Sequence, residues 1–150
     1  MNERPDCHVC RQNGQLAMLP PRERIGVDEY WRVAHAFDTG LEGWLVLVPR
    51  RHVTSVADLT DTEASALGLW QVRPSRALAA VTGCVKTYVI QFAEAEGFSH
   101  VHFHVVPRSA DLPARLRGGA IFGLLGVPSE LAVPTATMDR LAELIGTSVS

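Results

Sequence analysis

The segment His100-Val101-His102-Phe103-His104-Val105-Val106 constrains this chain more than any other stretch. Polar and apolar residues alternate strictly, and an extended strand sends successive side chains to opposite faces. A strand over His100 to Val106 therefore puts His100, His102 and His104 on one face. Val101, Phe103 and Val105 take the other, which is the natural core face. Three of the chain's six histidines then converge on one patch. Folding alone does not ask for such a row. Imidazole titrates near neutrality, moves protons, attacks phosphorus and binds zinc.

The flanking sequence supplies the rest of a sheet. Arg24 to Val27 and Trp31 to Phe37 read as strands joined by a polar turn at Asp28-Glu29. Trp44 to Val48 is a continuous apolar run between Gly43 and Pro49, the pattern of a central buried strand. Cys84 to Phe92 is rich in β-branched and aromatic residues. Thr60-Asp61-Thr62-Glu63 is a capping box, in which the hydroxyl and the carboxylate satisfy unpaired backbone N–H groups. It opens a long helix to about Thr82, with a kink expected at Pro74 and a stop at Gly83. Cys7 to Cys10 reads as a tight turn, Arg108 to Gly119 as irregular, and Met138 to Ile145 as a short terminal helix ended by Gly146. The expected fold class is α+β, a mostly antiparallel sheet around one long helix. One domain over residues 1–150 accounts for the whole length.

Bulk properties exclude several classes. A formal net charge of −2 excludes a general nucleic-acid binder. No apolar run approaches the roughly 20 residues of a membrane helix, and the polar start is not a secretory signal. The 3 cysteines are an odd count with two in Cys-x-x-Cys, which argues for reduced thiols and a cytoplasmic location.

Two blocks carry a family resemblance. His100 to Val106 followed by Pro107-Arg108, and Gly43 to His52 (Gly-Trp-Leu-Val-Leu-Val-Pro-Arg-Arg-His), resemble the signature of the histidine triad (HIT) superfamily of nucleotide hydrolases and transferases. The resemblance covers residues 7–108; residues 109–150 form an extension without a recognisable pattern. It implies a five-stranded antiparallel sheet, a nucleotide-type substrate and a homodimer. It assigns the phosphorus-attacking role to His102, with His104 stabilising phosphate charge and His100 as the third member of the catalytic row. Ser99, Gln91 and Asp38 are candidate substrate-binding residues. Relatives carry a Gly-Gln-Ser/Thr-like segment before the first histidine; here Ala95-Glu96-Gly97-Phe98-Ser99 stands instead, and the ribose-binding acid aligns by direct spacing with Ala36. His35 faces either the pocket or solvent.

Cys7-x-x-Cys10 supplies two thiolates at a spacing that suits one tetrahedral metal; a redox pair and two unrelated thiols are the other readings. The resemblance adds His52 and His100, giving a closed Cys7, Cys10, His52, His100 set and one structural zinc. His8 is then expected in solvent, and Cys84 as a small apolar residue. Two readings compete with a His102-dependent enzyme: a non-catalytic nucleotide-binding module, and a zinc-stabilised interaction module.

Overall fold

The computed structural model describes residues 4–149. Five strands form one sheet: β1 (Gly26–Val27), β2 (Trp31–His35), β3 (Leu45–Pro49), β4 (Lys86–Ile90) and β5 (Phe103–Arg108). Their spatial order is β1-β2-β3-β5-β4, and every neighbouring pair is antiparallel. The helices are α1 (His8–Gly14), α2 (Asp61–Thr82) and α3 (Thr135–Val149). The expected α+β class is the one observed.

Alternation along the strands divides the sheet into two unlike faces. Trp31 and Val33 of β2, Leu45 and Leu47 of β3, and Phe103 and Val105 of β5 point to one side. There they pack with Trp70, Ala77 and Leu78 of α2 and Leu141, Ile145 and Val149 of α3. Each such aliphatic side chain taken fully out of water stabilises the fold by about 1.5–3 kcal/mol. The capping box at Thr60 and Glu63 is formed in both directions. α2 runs on through the buried Pro74 and ends at Gly83, whose φ of +72° is the left-handed conformation glycine tolerates.

The segment after Arg108 serves both faces. Its 3₁₀ turns lay Leu112 and Ile121 against Ala36, Trp44 and Val106 on the second face. Thr39 anchors it: Gly40 N–H donates to Leu124 O (2.8 Å), and Val133 N–H donates to Thr39 O (2.8 Å). The chain then returns to the core side as α3.

Three elements differ from expectation. Cys7 to Cys10 is not an isolated turn: Cys7 is the N-cap of α1, its Sγ accepting from Cys10 N–H. α3 is longer than Met138 to Ile145 and passes through Gly146. A Cβ on Gly146 would lie 3.1 Å from the Ile25 carbonyl oxygen, so this glycine permits close packing and does not stop the helix. The third difference concerns the histidine row. The ladder of β5 begins at Phe103, not His100. Two residues beyond Leu47 on β3, Pro49 has no N–H to give, and its carbonyl accepts from His100 Nε2 and Asn13 Nδ2 instead. Among the described residues, no helix is long and apolar enough to cross a membrane.

Candidate active site and metal centre

The three histidines fall into two environments. His100 is fully buried against α1, beside Cys7 and Cys10. Its Nδ1 lies 3.6 Å from both Cys7 Sγ and Cys10 Sγ, and His52 Nδ1 lies 3.2 Å from Cys10 Sγ. The four ligand atoms fall within 4.8 Å of one another. A tetrahedral zinc with N and S ligands sets them roughly 3.6 Å apart, so the donor set and its spacing fit that ion. His100 Nε2 donates to the Pro49 carbonyl (2.9 Å), which leaves Nδ1 as the lone-pair nitrogen aimed at the thiols. Burial holds the His100 imidazole down at about 4, the neutral form a metal requires. Burial also lowers His52, aided by Arg4. With four protein donors, such a site has no open position for substrate; an ion held there would tie together α1, the end of β3 and the approach to β5.

His102 and His104 face the second side of the sheet. His102 Nδ1 donates to the His100 carbonyl (2.8 Å), leaving Nε2 with its lone pair. His104 Nδ1 accepts from the Trp44 indole (3.0 Å). Burial, with a contribution from the neighbouring His102, holds His104 down at about 4. The two imidazoles meet edge to face with centroids 5.0 Å apart.

Both rings line a cleft of ≈ 490 Å³. Ala34, Val46 and Val48 form its floor, and Phe122 and Leu125 of the C-terminal extension form one wall. His8, Phe37 and Phe98 form a cluster of rings on another, with centroids 5.3–5.9 Å apart. His8 is therefore half-buried in the cleft wall rather than free in solvent. At a further edge lies a polar pair. Arg32 donates from Nε to Asn13 Oδ1 (2.8 Å) and from Nη1 to the Glu23 carbonyl (2.7 Å) and carboxylate (3.3 Å). Burial raises the Glu23 carboxyl and lowers the Arg32 guanidinium, each partly offset by the other.

The remaining candidates are dispersed. Asp38 lies at the cleft rim with φ +53°, its carbonyl accepting from Val127 N–H. Gln91 does not line the cleft, although its neighbour Phe92 does. Ser99 is exposed and lines a different hollow, beside Cys7 and His52. Ala36 borders the cleft at the position where the resemblance implies an acid. His35 is buried and structural: Nδ1 donates to the Ala36 carbonyl (2.8 Å), and Nε2 accepts from Gly43 N–H (3.0 Å). Arg108 is half-buried and donates to the Ser109 carbonyl. Cys84 packs against the main core as a partly buried apolar residue. Sequence reading did not single out Trp44, Phe122, or the Arg32–Glu23 pair. The first two read as ordinary apolar residues, and Arg32 carries no local signal of burial.

No protein-family model and no curated protein matches the chain. Solved structures do. A histidine triad protein from Bradyrhizobium japonicum superposes with a TM-score of 0.69 at 23% identity, covering 85% of this chain and 90% of that one. A histidine triad protein from Sinorhizobium meliloti gives 0.67 at 21% identity, over 84% and 88%. A zinc-bound histidine triad family protein from Mycobacterium smegmatis gives 0.65 at 17% identity, over 95% and 92%. The chain has the histidine triad fold, as the two sequence blocks implied.

Proposed function

We propose that this protein is a nucleotide hydrolase or nucleotidyl transferase that works through a covalent His102 intermediate. The observation carrying this reading is the hydrogen bond from His102 Nδ1 to the His100 carbonyl. It commits the ring's proton to Nδ1 and leaves the Nε2 lone pair for a substrate in the cleft. A neutral nitrogen approaches an anionic phosphate without charge repulsion, and one difficult displacement becomes two easier ones.

His102 Nε2 forms a bond to the α-phosphorus while the bond to the leaving group breaks, the electron pair departing with that group. Water then attacks the phosphorus and loses a proton to solvent. The P–N bond breaks, and its pair returns to Nε2. A transferase replaces water by another hydroxyl or amine. His104 stabilises charge on the phosphate oxygens. The apolar and aromatic walls suit the nucleoside part. Candidate substrates are phosphoramidates, dinucleoside polyphosphates and adenylated small molecules. Cys7, Cys10, His52 and His100 hold one structural zinc, which requires a compartment that keeps the thiols reduced. The homodimer belongs to the same reading and is measurable by sedimentation.

The test is intact-mass spectrometry after brief incubation with such substrates. A nucleotidyl adduct on the wild type that is absent from His102→Ala supports the enzyme. Nucleotide affinity without adduct or turnover supports the binding-module reading, which the position of Gln91 and Ser99 outside the cleft favours. A zinc-dependent fold with no nucleotide affinity leaves only an interaction module.

A further inference from the structure

The Trp44–His104 contact carries more than packing. We propose that Trp44 is a positioning residue that commits His104 to a single neutral tautomer, with its proton on Nε2. Indole N–H is a donor only, so the nitrogen that meets it must be an acceptor. His104 Nδ1 meets it at 3.0 Å. A neutral imidazole has one donor and one acceptor nitrogen; with Nδ1 accepting, the proton sits on Nε2.

The surroundings hold this arrangement rigidly. Trp44 is fully buried immediately before β3, in the cluster that Ile121 and Leu112 of the extension complete. The His104 ring stands edge to face against Trp44 (87°) and Phe122 (90°), with centroids 5.7 and 5.0 Å away. Its strand neighbours across the ladder are Val46 and Ile90. Among the described residues, the titratable group acting on it is His102. Rotation of the ring would leave the buried indole N–H without an acceptor, which is unfavourable.

The consequence is a division of labour between adjacent histidines. His102 has its proton on Nδ1 and presents a lone pair. His104 has its proton on Nε2 and presents a donor. One attacks, and the other stabilises the oxygen charge that the attack creates. This rests on the proposed reaction for its kinetic consequence alone; the tautomer itself does not depend on it.

The experiment is ¹⁵N imidazole spectroscopy of wild type at neutral pH, with Trp44→Phe and Trp44→His alongside. Wild-type His104 is expected to show a protonated Nε2 and an unprotonated Nδ1. A proton on Nδ1, or an imidazolium, overturns the proposal whether or not any substrate is turned over. Trp44→Phe is expected to give a mixture of tautomers and to lower kcat roughly tenfold with KM little changed, the scale on which outer partners of a ring matter. Trp44→His, which restores a ring N–H donor, is expected to recover the Nε2 proton and part of kcat. An unchanged His104 tautomer in a folded Trp44→Phe protein overturns the proposal. If Trp44→Phe does not fold, the wild-type spectrum and slow exchange of the Trp44 indole proton decide.

Discussion

The carbonyl oxygen of His100 accepts the Nδ1 proton of His102 at 2.8 Å, while the His100 imidazole sits within the Cys7–Cys10–His52 cluster. One residue therefore serves two sites. Its ring belongs to the candidate metal centre, and its backbone carbonyl sets the tautomer of His102. His100 lies ahead of the β5 ladder, which begins at Phe103, and its Nε2 donates to the Pro49 carbonyl.

Replacing His102 with alanine should reduce turnover by at least about 10³-fold, since the covalent route is lost and binding alone remains. The thermal midpoint should move little, because the ring is only half-buried and its packing partner is another imidazole. Steady-state kinetics and a melting curve check both parts. Turnover at a normal rate would end the covalent account.

Metal removal should unfold the N-terminal region before the sheet. Elemental analysis of purified protein is expected to find one zinc per chain. Chelation or Cys10→Ser should lower the melting temperature and increase proteolysis around α1. Because His8 lies between the two thiols and forms part of the cleft wall, nucleotide affinity should fall as well. A melting temperature indifferent to chelator would count against a structural ion.

The C-terminal extension should matter to substrate through its wall residues. Ile121→Ala removes a fully buried side chain from the second cluster and should cost about 2–5 kcal/mol of stability. Phe122→Ala, at a half-buried position against His104, should raise KM several-fold with a smaller loss of stability. Comparing denaturant midpoints with KM values for the two variants separates these effects.

Acid should destabilise the protein in two steps. Burial lowers His104 to about 4 from an ordinary 6.5, so the unfolded chain takes up that proton first. Its contribution is complete above pH 6.5 and declines as pH falls toward 4. Burial alone would raise Glu63, but its bonds with Arg51 (Nε 2.7 Å, Nη2 3.1 Å) and with Thr60 outweigh that and lower it below 4.5. Its contribution is present above pH 4.5 and is lost as pH falls through the lowered value. Glu63→Gln should remove the second step and cost about 1 kcal/mol at neutral pH, a modest figure because Arg51 is partly exposed. Denaturant midpoints between pH 3 and 8 measure both; a flat profile would contradict the assignment.

Much of the scaffold was legible because its signals are local. Period-two alternation placed Val101, Phe103 and Val105 on the core face even though the ladder starts at Phe103. Thr60 and Glu63 announced a helix start, and Gly83 its end. The Cys-x-x-Cys spacing brings two thiolates to one point without help from the rest of the chain. The positions of Gln91, Ser99 and His8 were less accessible, since each depends on how a loop closes over a strand already in place.

What this sequence determined by itself was a set of short-range geometries: which residues alternate, which cap, and which two thiols meet. Tertiary structure alone decided that Trp44 finds His104 across 60 residues, that Phe122 and Leu125 close the cleft, and that Arg32 and Glu23 pair at its edge. The reason is physical. Backbone stereochemistry and neighbour hydrogen bonds operate within a few residues and leave a periodic imprint. Contacts between distant segments form only once apolar burial has packed the faces together, and the side chains that then meet carry no mark of the encounter in their own sequence neighbourhood.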